Sequence, residues 1–276
     1  MKIGIDLGGT NVRVALIDDN GIINITKEPC KADKSVEETT NHIKELIRRV
    51  ITPEVIGIGI GVPSAVDPKR GIVYNVINIP SWKEVHLKEI FEAEFQLPTY
   101  VNNDANCFVL GEQHYGAAKS ARNVVGIAAG TGLGSGIIIN NELYAGTNTC
   151  AGEIGCISYR DKTYEEYCSS RYFIREHNTS GVDAFGAAKK GDETALKIWD
   201  DFGIHMGNLV QMVLFAYDPE VIVFGGSIAN AFELFESSMR RNLQEFLFPN
   251  IVNKLRIEVS RTNDVGILGA ASLVKQ

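Results

Sequence analysis

Two glycine-rich turns share one plan, and their composition suits the binding of a polyphosphate. The first closes Gly4-Ile5-Asp6-Leu7-Gly8-Gly9-Thr10 and the second closes Gly126-Ile127-Ala128-Ala129-Gly130-Thr131-Gly132. Gly8-Gly9-Thr10 and the run Gly130-Thr131-Gly132-Leu133-Gly134-Ser135-Gly136 lack bulk where the backbone turns. Their N–H groups can therefore approach an anion closely, with Thr and Ser hydroxyls as extra donors. The second run is no dinucleotide fingerprint: Ser135 stands where a third glycine would be, and an apolar strand follows instead of a helix. The absence of Gly-Lys-Ser/Thr excludes a Walker loop. Alone, either turn also reads as a plain hairpin; the pair in register argues against that.

Several carboxylates accompany these turns. Asp6 precedes the first glycines, where it could hold a hydrated Mg2+ against phosphates or simply cap a turn. Its counterpart in the second half is Ala128, so the acid belongs to one half only. Asn103-Asp104 lies between a short strand and a helix. Asp104 could be an N-cap or a general base for a hydroxyl attacking phosphorus, and spacing leaves both readings open. Gly152-Glu153-Ile154-Gly155 and Tyr164-Glu165-Glu166-Tyr167 offer acceptors for vicinal sugar hydroxyls, and Trp82 or Tyr144 could cover an apolar sugar face. Unaided, such acids read equally well as solvated surface.

The elements that must position these groups repeat. A strand, a glycine turn, a strand, a polar turn and a third strand run from Lys2 through Ile22, and again from Val124 through Tyr144. The repetition predicts two similar halves with a cleft between them. Apolar spacing predicts helices over Ser35–Val50, with Ser35 as N-cap, over Ala105–Tyr115, over Glu193–Tyr217 with Pro219 as stop, and over Gly266–Val274. Val55–Val62, Leu97–Val101 and Val221–Phe224 read as strands, the last running into Gly225-Gly226-Ser227. Pro63–Trp82 reads as an irregular excursion that lines a site, and Gly116–Arg122 as a domain junction. Alternating strands and helices after each meander give an α/β class with mixed sheets.

At 276 residues the chain suits two moderate domains or one large one. With 45% hydrophobic and 22% charged residues it reads as an ordinary globular protein, and a net charge of −7 argues against nucleic acid as the main partner. Five cysteines without Cys-x-x-Cys make no disulfide framework and predict reduced thiols in a cytoplasm. The start meets Asp6 too early for a signal peptide, and no apolar run approaches the roughly 18 to 20 residues of a membrane span. A soluble, cytoplasmic protein without a membrane partner is expected.

The ordered motifs resemble one family. Asp6-Leu7-Gly8-Gly9-Thr10-Asn11-x-Arg13, Gly61-Val62-Pro63 with Asp67, Asn78-Ile79-Pro80-x-Trp82 and Asn103-Asp104-Ala105-Asn106 with Gly111-Glu112 occur in the order found in ROK-family sugar kinases. So do the Gly130–Gly136 run, Gly152-Glu153-Ile154-Gly155 and Gly225-Gly226-Ser227. The resemblance covers essentially the whole chain. It implies a two-domain actin-like, hexokinase-like ATPase of ribonuclease H-like fold, with mixed β-sheets and an interdomain cleft. The domains would be 1–116, completed by a C-terminal helix 264–276, and 117–263.

By the same resemblance, Gly8, Gly9, Thr10, Asn11, Gly130, Thr131, Gly132 and Gly134 would hold the ATP phosphates, and Gly225 and Gly226 would lie against the adenosine. Asp6 would hold Mg2+ through water. Asp104 would be the catalytic base, and Asn78, Asn103, Glu153, Cys156 and Glu165 would face the sugar, Glu165 being matched through Tyr164-Glu165-Glu166-Tyr167-Cys168-Ser169. Most members carry a histidine where Cys156 stands, followed by a Cys-x-Cys-x4-Cys zinc loop that is missing here. Cys156 and Cys168 alone cannot complete four ligands, so zinc is not expected. The resemblance implies 6-phosphorylation of a hexose, glucose foremost. Kinases of mannose, allose, N-acetylglucosamine and N-acetylmannosamine share the motifs. It also implies a homo-oligomer, dimer or tetramer. Sugar-responsive ROK regulators resemble this chain only after an N-terminal helix-turn-helix extension, and a sugar-binding pseudokinase is the third alternative.

Overall fold

The computed structural model describes residues 1–147 and 149–275, so Gln276, which ends the expected C-terminal helix, lies outside the described residues. The chain forms two compact units. One comprises Met1–Ser120, Leu143–Ala151 and a segment from Arg261 onward; the other comprises Ala121–Glu142 and Gly152–Ser260.

The first unit opens with an antiparallel meander of β1 (Lys2–Leu7), β2 (Asn11–Asp18) and β3 (Gly21–Pro29). Asp18 Oδ1 accepts the N–H groups of Asn20 (2.8 Å) and Gly21 (3.1 Å), which fixes the second turn. Helix α1 (Val36–Val50) starts at a capping box: Ser35 Oγ accepts the Glu38 N–H, and Glu38 Oε2 accepts the Ser35 N–H. It buries Ile43, Leu46, Ile47 and Val50 in the core that β1 and β2 share.

Strand β4 (Ile58–Val62) then runs parallel to β1. Within the stretch expected to be irregular, β5 (Ala65–Asp67) and β6 (Ile72–Tyr74) pair as strands, and β7 (Glu84–His86), just past Trp82, completes a small antiparallel sheet, while residues 75–82 form no strand. Three-residue strands are too short to display a period of two, which is why sequence spacing misses them. Helix α2 (Leu87–Phe95), strand β8 (Thr99–Asn103) and helix α3 (Asp104–Tyr115) complete the run, giving the sheet order β3-β2-β1-β4-β8. The C-terminal helix Val265–Ser272 lies directly on this sheet. A Cβ on Gly59 would meet Ala270 O at 1.8 Å, so only glycine permits that approach.

The second unit repeats the plan with β9 (Val124–Ala129), β10 (Leu133–Ile139) and β11 (Glu142–Leu143), then β14 (Val221–Gly225) and β15 (Arg256–Val259), in the order β11-β10-β9-β14-β15. Strand β14 is parallel to both β9 and β15. Between the two parts of this sheet lie a hairpin of β12 (Ser158–Tyr159) and β13 (Lys162–Thr163) and the helices α4 (Tyr164–Cys168), α5 (Ser170–His177), α6 (Gly181–Ala188) and α7 (Glu193–Tyr217). Helices α8 (Phe232–Leu243) and α9 (Pro249–Val252) follow β14. Asp192 caps α7 by accepting the Ala195 N–H at 2.8 Å, and Asp218 ends it in a left-handed conformation (φ 43°) ahead of Pro219. Trp199, Phe202 and Phe235 stack α7 against α8. Among the described residues no helix is long and apolar enough to cross a membrane.

Candidate active site

In the first unit, strand register assembles the acids. Asp6 pairs with Gly61 across β1 and β4, and Gly61 pairs with Asn102 across β4 and β8. Asp6, Gly61 and Asn102 are therefore level on three parallel strands, with Asn103 and Asp104 just beyond. This is the carboxyl end of the parallel strands, where open α/β sheets place their ligands. Beneath them Cys107 is fully buried, and a Cβ on Gly61 would stand 3.0 Å from its Sγ. Burial pushes the Cys107 thiol well above its ordinary range, and the charges of Asp104 and then Asp6 push the same way.

Arg13, opposite Asp6 on β2, donates to Asp6 Oδ2 from Nε (3.0 Å) and from a second guanidinium nitrogen, and reaches Asp264 with the third. Burial opposes the guanidinium charge, but the fields and hydrogen bonds of the two carboxylates outweigh it and hold Arg13 above its ordinary range. Both Arg13 bonds to Asp6 fall on Oδ2. Asp6 could hold a hydrated Mg2+ through Oδ1, since one carboxylate suits an ion that retains most of its water. Among the described residues no group of three or more His, Cys, Asp or Glu side chains could hold a metal directly.

The first glycine turn is closed by the Gly8 N–H donating to Asn11 O at 2.9 Å, and Thr10 at its tip is exposed. Asn78, also exposed, lies against it: a Cβ on Gly9 would be 2.3 Å from Asn78 Cβ. At the other edge Asn103 caps α3, accepting the Ala105 N–H at 2.9 Å and donating from Nδ2 to Ser64 O at 3.2 Å. Asp104 is the first helical residue, exposed, with Oδ1 accepting the same Ala105 N–H at 2.9 Å. The cap position belongs to Asn103, with Asp104 sharing the same N–H.

In the second unit, Gly130, Thr131 and Gly132 span the gap between β9 and β10, closed by the Gly130 N–H donating to Gly132 O at 2.9 Å. Gly134, Ala128 and Gly225 are level across β10, β9 and β14, a row with no side chain larger than methyl. Gly226 (φ +80°) turns the chain where a Cβ would strike Ala129 O at 2.3 Å, and this brings Ser227 Oγ to 3.3 Å from a Cβ position on Gly130. The two glycine segments, Gly130–Gly134 and Gly225-Gly226, therefore converge at the ends of β9 and β14.

The carboxylates follow. Glu165 Oε2 accepts the Leu133 N–H at 3.0 Å, and Oε1 pairs with Arg171 at 3.0 Å. Glu153 precedes a short turn, Ile154–Cys156, and its side chain is exposed at the surface. Partial desolvation of its carboxyl and the nearby charge of Glu165 both raise its pKa above the ordinary value. Cys156 is exposed, whereas Cys168 is fully buried on α4 and burial pushes its thiol up. The segment after Cys156 is the β12–β13 hairpin, turned through Arg160 at φ 52°. It is packed by Tyr159 stacked on Tyr164 (4.4 Å) and by Tyr159 Oη at 3.1 Å from His205 Nδ1.

Sequence reasoning gave no role to Asp264 or Arg171, and named Arg13 only within a motif. Their partners are distant in sequence, and surface Arg and Asp carry no periodic signal. Of the residues expected at the sugar, Asn78, Asn103 and Asp104 fall in the first unit and Glu153, Cys156 and Glu165 in the second.

Known proteins are similar to this chain over nearly its whole length. The sequence model of the ROK family matches residues 2–276. A glucokinase of Halalkalibacterium halodurans is 30% identical, the match covering 99% of this chain and 94% of that one. A xylose repressor of Bacillus spizizenii is 28% identical over 99% of this chain and 76% of the repressor. A ROK family glucokinase from Streptomyces griseus, solved in complex with glucose and AMPPNP, superposes with a TM-score of 0.80 at 26% identity, covering 99% of this chain and 98% of that one. The mixed-sheet α/β architecture is that of the actin-like ATPases. With the family match running over nearly every residue and both glycine turns placed at strand ends, the chain belongs to the ROK family.

Proposed function

We propose that this protein transfers the γ-phosphate of ATP to the 6-hydroxyl of a hexose, glucose foremost, with Asp104 as general base. The chain is an ATP-dependent sugar kinase in its family and fold. The observation that carries the finer reading is the division of labour at the start of α3: Asn103 caps the helix, and the exposed Asp104 carboxylate stands at the carboxyl end of the parallel strands. In this reading Asp104 takes the proton of the sugar hydroxyl as its oxygen bonds to phosphorus, and ADP leaves in line. Asn103 orients the hydroxyl neighbourhood, and Glu153 and Glu165 accept hydrogen bonds from other hydroxyls, with Asn78 and Cys156 at the rim.

The N–H groups of Gly9, Thr10 and Asn11 and those of Thr131 and Gly132 in the second loop stabilise phosphate charge, and Gly225-Gly226 leave room for the adenosine. Asp6 would hold Mg2+ through water, and the ion would supply neutralisation of phosphate charge. N-acetylglucosamine, N-acetylmannosamine, mannose and allose are the alternative sugars, since Cys156 replaces a histidine that would help to set sugar orientation. A coupled ADP-release assay over these sugars tests the reading. Turnover of glucose above the others supports it, and turnover confined to an N-acetylhexosamine replaces glucose as substrate.

The 28% identity to a xylose repressor favours a second reading, a sugar-responsive regulator. Retention on DNA at moderate salt, released by a sugar, would support that reading over the kinase. We further propose a homodimer or homotetramer, which light scattering would distinguish from a monomer.

A further inference from the structure

The glycine loop between β9 and β10 is gripped from one side by the α4–α5 junction. Leu133, the first residue after the loop, donates its N–H to Glu165 Oε2 at 3.0 Å, and a Cβ on Gly132 would stand 2.7 Å from that same oxygen. Gly130 O accepts the N–H of Ser170, the first residue of α5, at 2.8 Å. Glu165 is itself fixed: Ser169 Oγ, fully buried, donates to its backbone carbonyl at 2.6 Å, and Arg171 holds Oε1 at 3.0 Å while a second Arg171 nitrogen holds Glu166 at 2.8 Å.

A carboxylate is a poor neighbour for a loop that must receive phosphate, because like charges repel. Its presence requires a compensating cation, and Arg171 is that cation. One Glu165 oxygen is committed to the loop and the other to Arg171, which a side chain serving only as a sugar ligand would not need.

We propose that Glu165 is a positioning residue of the nucleotide loop as well as a sugar contact, and that Arg171 neutralises it so that the loop can accept phosphate. The proposal rests on the kinase reading for the identity of the loop's ligand. Through Glu165 the sugar-facing carboxylate and the phosphate-facing loop share one side chain, so sugar and nucleotide affinities are linked.

The test is calorimetric titration with Mg2+ and a non-hydrolysable ATP analogue, without sugar, on the full chain. Glu165→Ala should weaken analogue binding about fivefold or more, the loss of one charge-assisted hydrogen bond. Glu165→Gln, whose amide oxygen can still accept the Leu133 N–H, should restore it to within about twofold. Arg171→Ala should weaken binding, more so at low salt, and the defect should vanish in Glu165→Gln/Arg171→Ala, where the carboxylate that touches the loop is gone and only Glu166, which makes no bond to the loop, has lost its partner. Unchanged analogue affinity in Glu165→Ala, with only sugar affinity lost, overturns the proposal. An Arg171→Ala defect that persists in the double variant overturns it too. Should Glu165→Ala fail to fold, the Glu165→Gln and Arg171 pair decides alone. Wild-type protein that binds the analogue but phosphorylates no sugar overturns the substrate reading and leaves the brace standing; wild-type protein that binds no nucleotide overturns both.

Discussion

Asp6 and Ala128 occupy the same place in two sheets of the same plan. Asp6 on β1 stands level with Arg13 on β2 and Gly61 on β4; Ala128 on β9 stands level with Gly134 on β10 and Gly225 on β14. One unit thus presents a charged row and the other a bare one. In the account given above, the charged row serves the hydrated ion and the bare row lets backbone approach phosphate. Asp6→Asn should raise the Mg2+ concentration needed for half-maximal rate about tenfold or more, and Ala128→Asp should weaken ATP by about tenfold or more through like-charge repulsion. Rates measured against Mg2+ and against ATP check the two; an Ala128→Asp enzyme with unchanged KM for ATP would contradict the bare-row argument.

Gly9→Ala should lower kcat/KM for ATP by roughly 10- to 100-fold, the equivalent of the 1–3 kcal/mol that overpacking costs. The new methyl would meet Asn78 Cβ, not the yielding end of a long side chain, so the turn itself must move. Steady-state kinetics with thermal melts separate this from unfolding: the melting temperature should shift far less than the kinetics.

Much of the frame was legible because it rests on local rules. The Ser35 cap, the stop at Pro219 and the glycine turns between apolar runs each report their neighbours within four residues. The β5–β7 sheet was not legible because its strands are three residues long, and α4 to α6 were not because helices of five to eight residues span barely two turns. At the site, the acids could be nominated by type, yet that the cap of α3 is Asn103 needed coordinates. Arg13 joining Asp6 to Asp264, 251 residues away, and Glu165 reaching Leu133, 32 residues away, are tertiary facts that no spacing encodes.

Sugar affinity should carry an acidic limb from Glu153. Partial desolvation of the carboxyl and the charge of Glu165 raise its pKa above 4.5, so the proton is retained to higher pH in the folded protein. The ionised carboxylate accepts sugar hydroxyls best, so affinity should rise as pH climbs through the raised value. Stability from this group runs oppositely: it is present below 4.5 and lost as pH rises through the raised value. Titrating sugar Kd against pH checks this, and the limb should disappear in Glu153→Gln.

His205 gives stability the contrary slope. Burial, then the charges of Arg160 and Arg175, lower its pKa from 6.5 to about 4, so it stays neutral in the folded protein while the unfolded chain protonates. Its contribution is present above 6.5 and lost as pH falls toward 4. Melting temperature should drop across that window, and His205→Phe should flatten the drop if the Tyr159 ring still packs.

The central claim is that Asp104 removes the hydroxyl proton, and ADP release by Asp104→Ala with saturating Mg-ATP and the best sugar tests it most directly. The variant's kcat should be lower by roughly 10²- to 10⁴-fold with nucleotide affinity and melting temperature nearly unchanged. A folded Asp104→Ala enzyme that turns over at near wild-type kcat would contradict it.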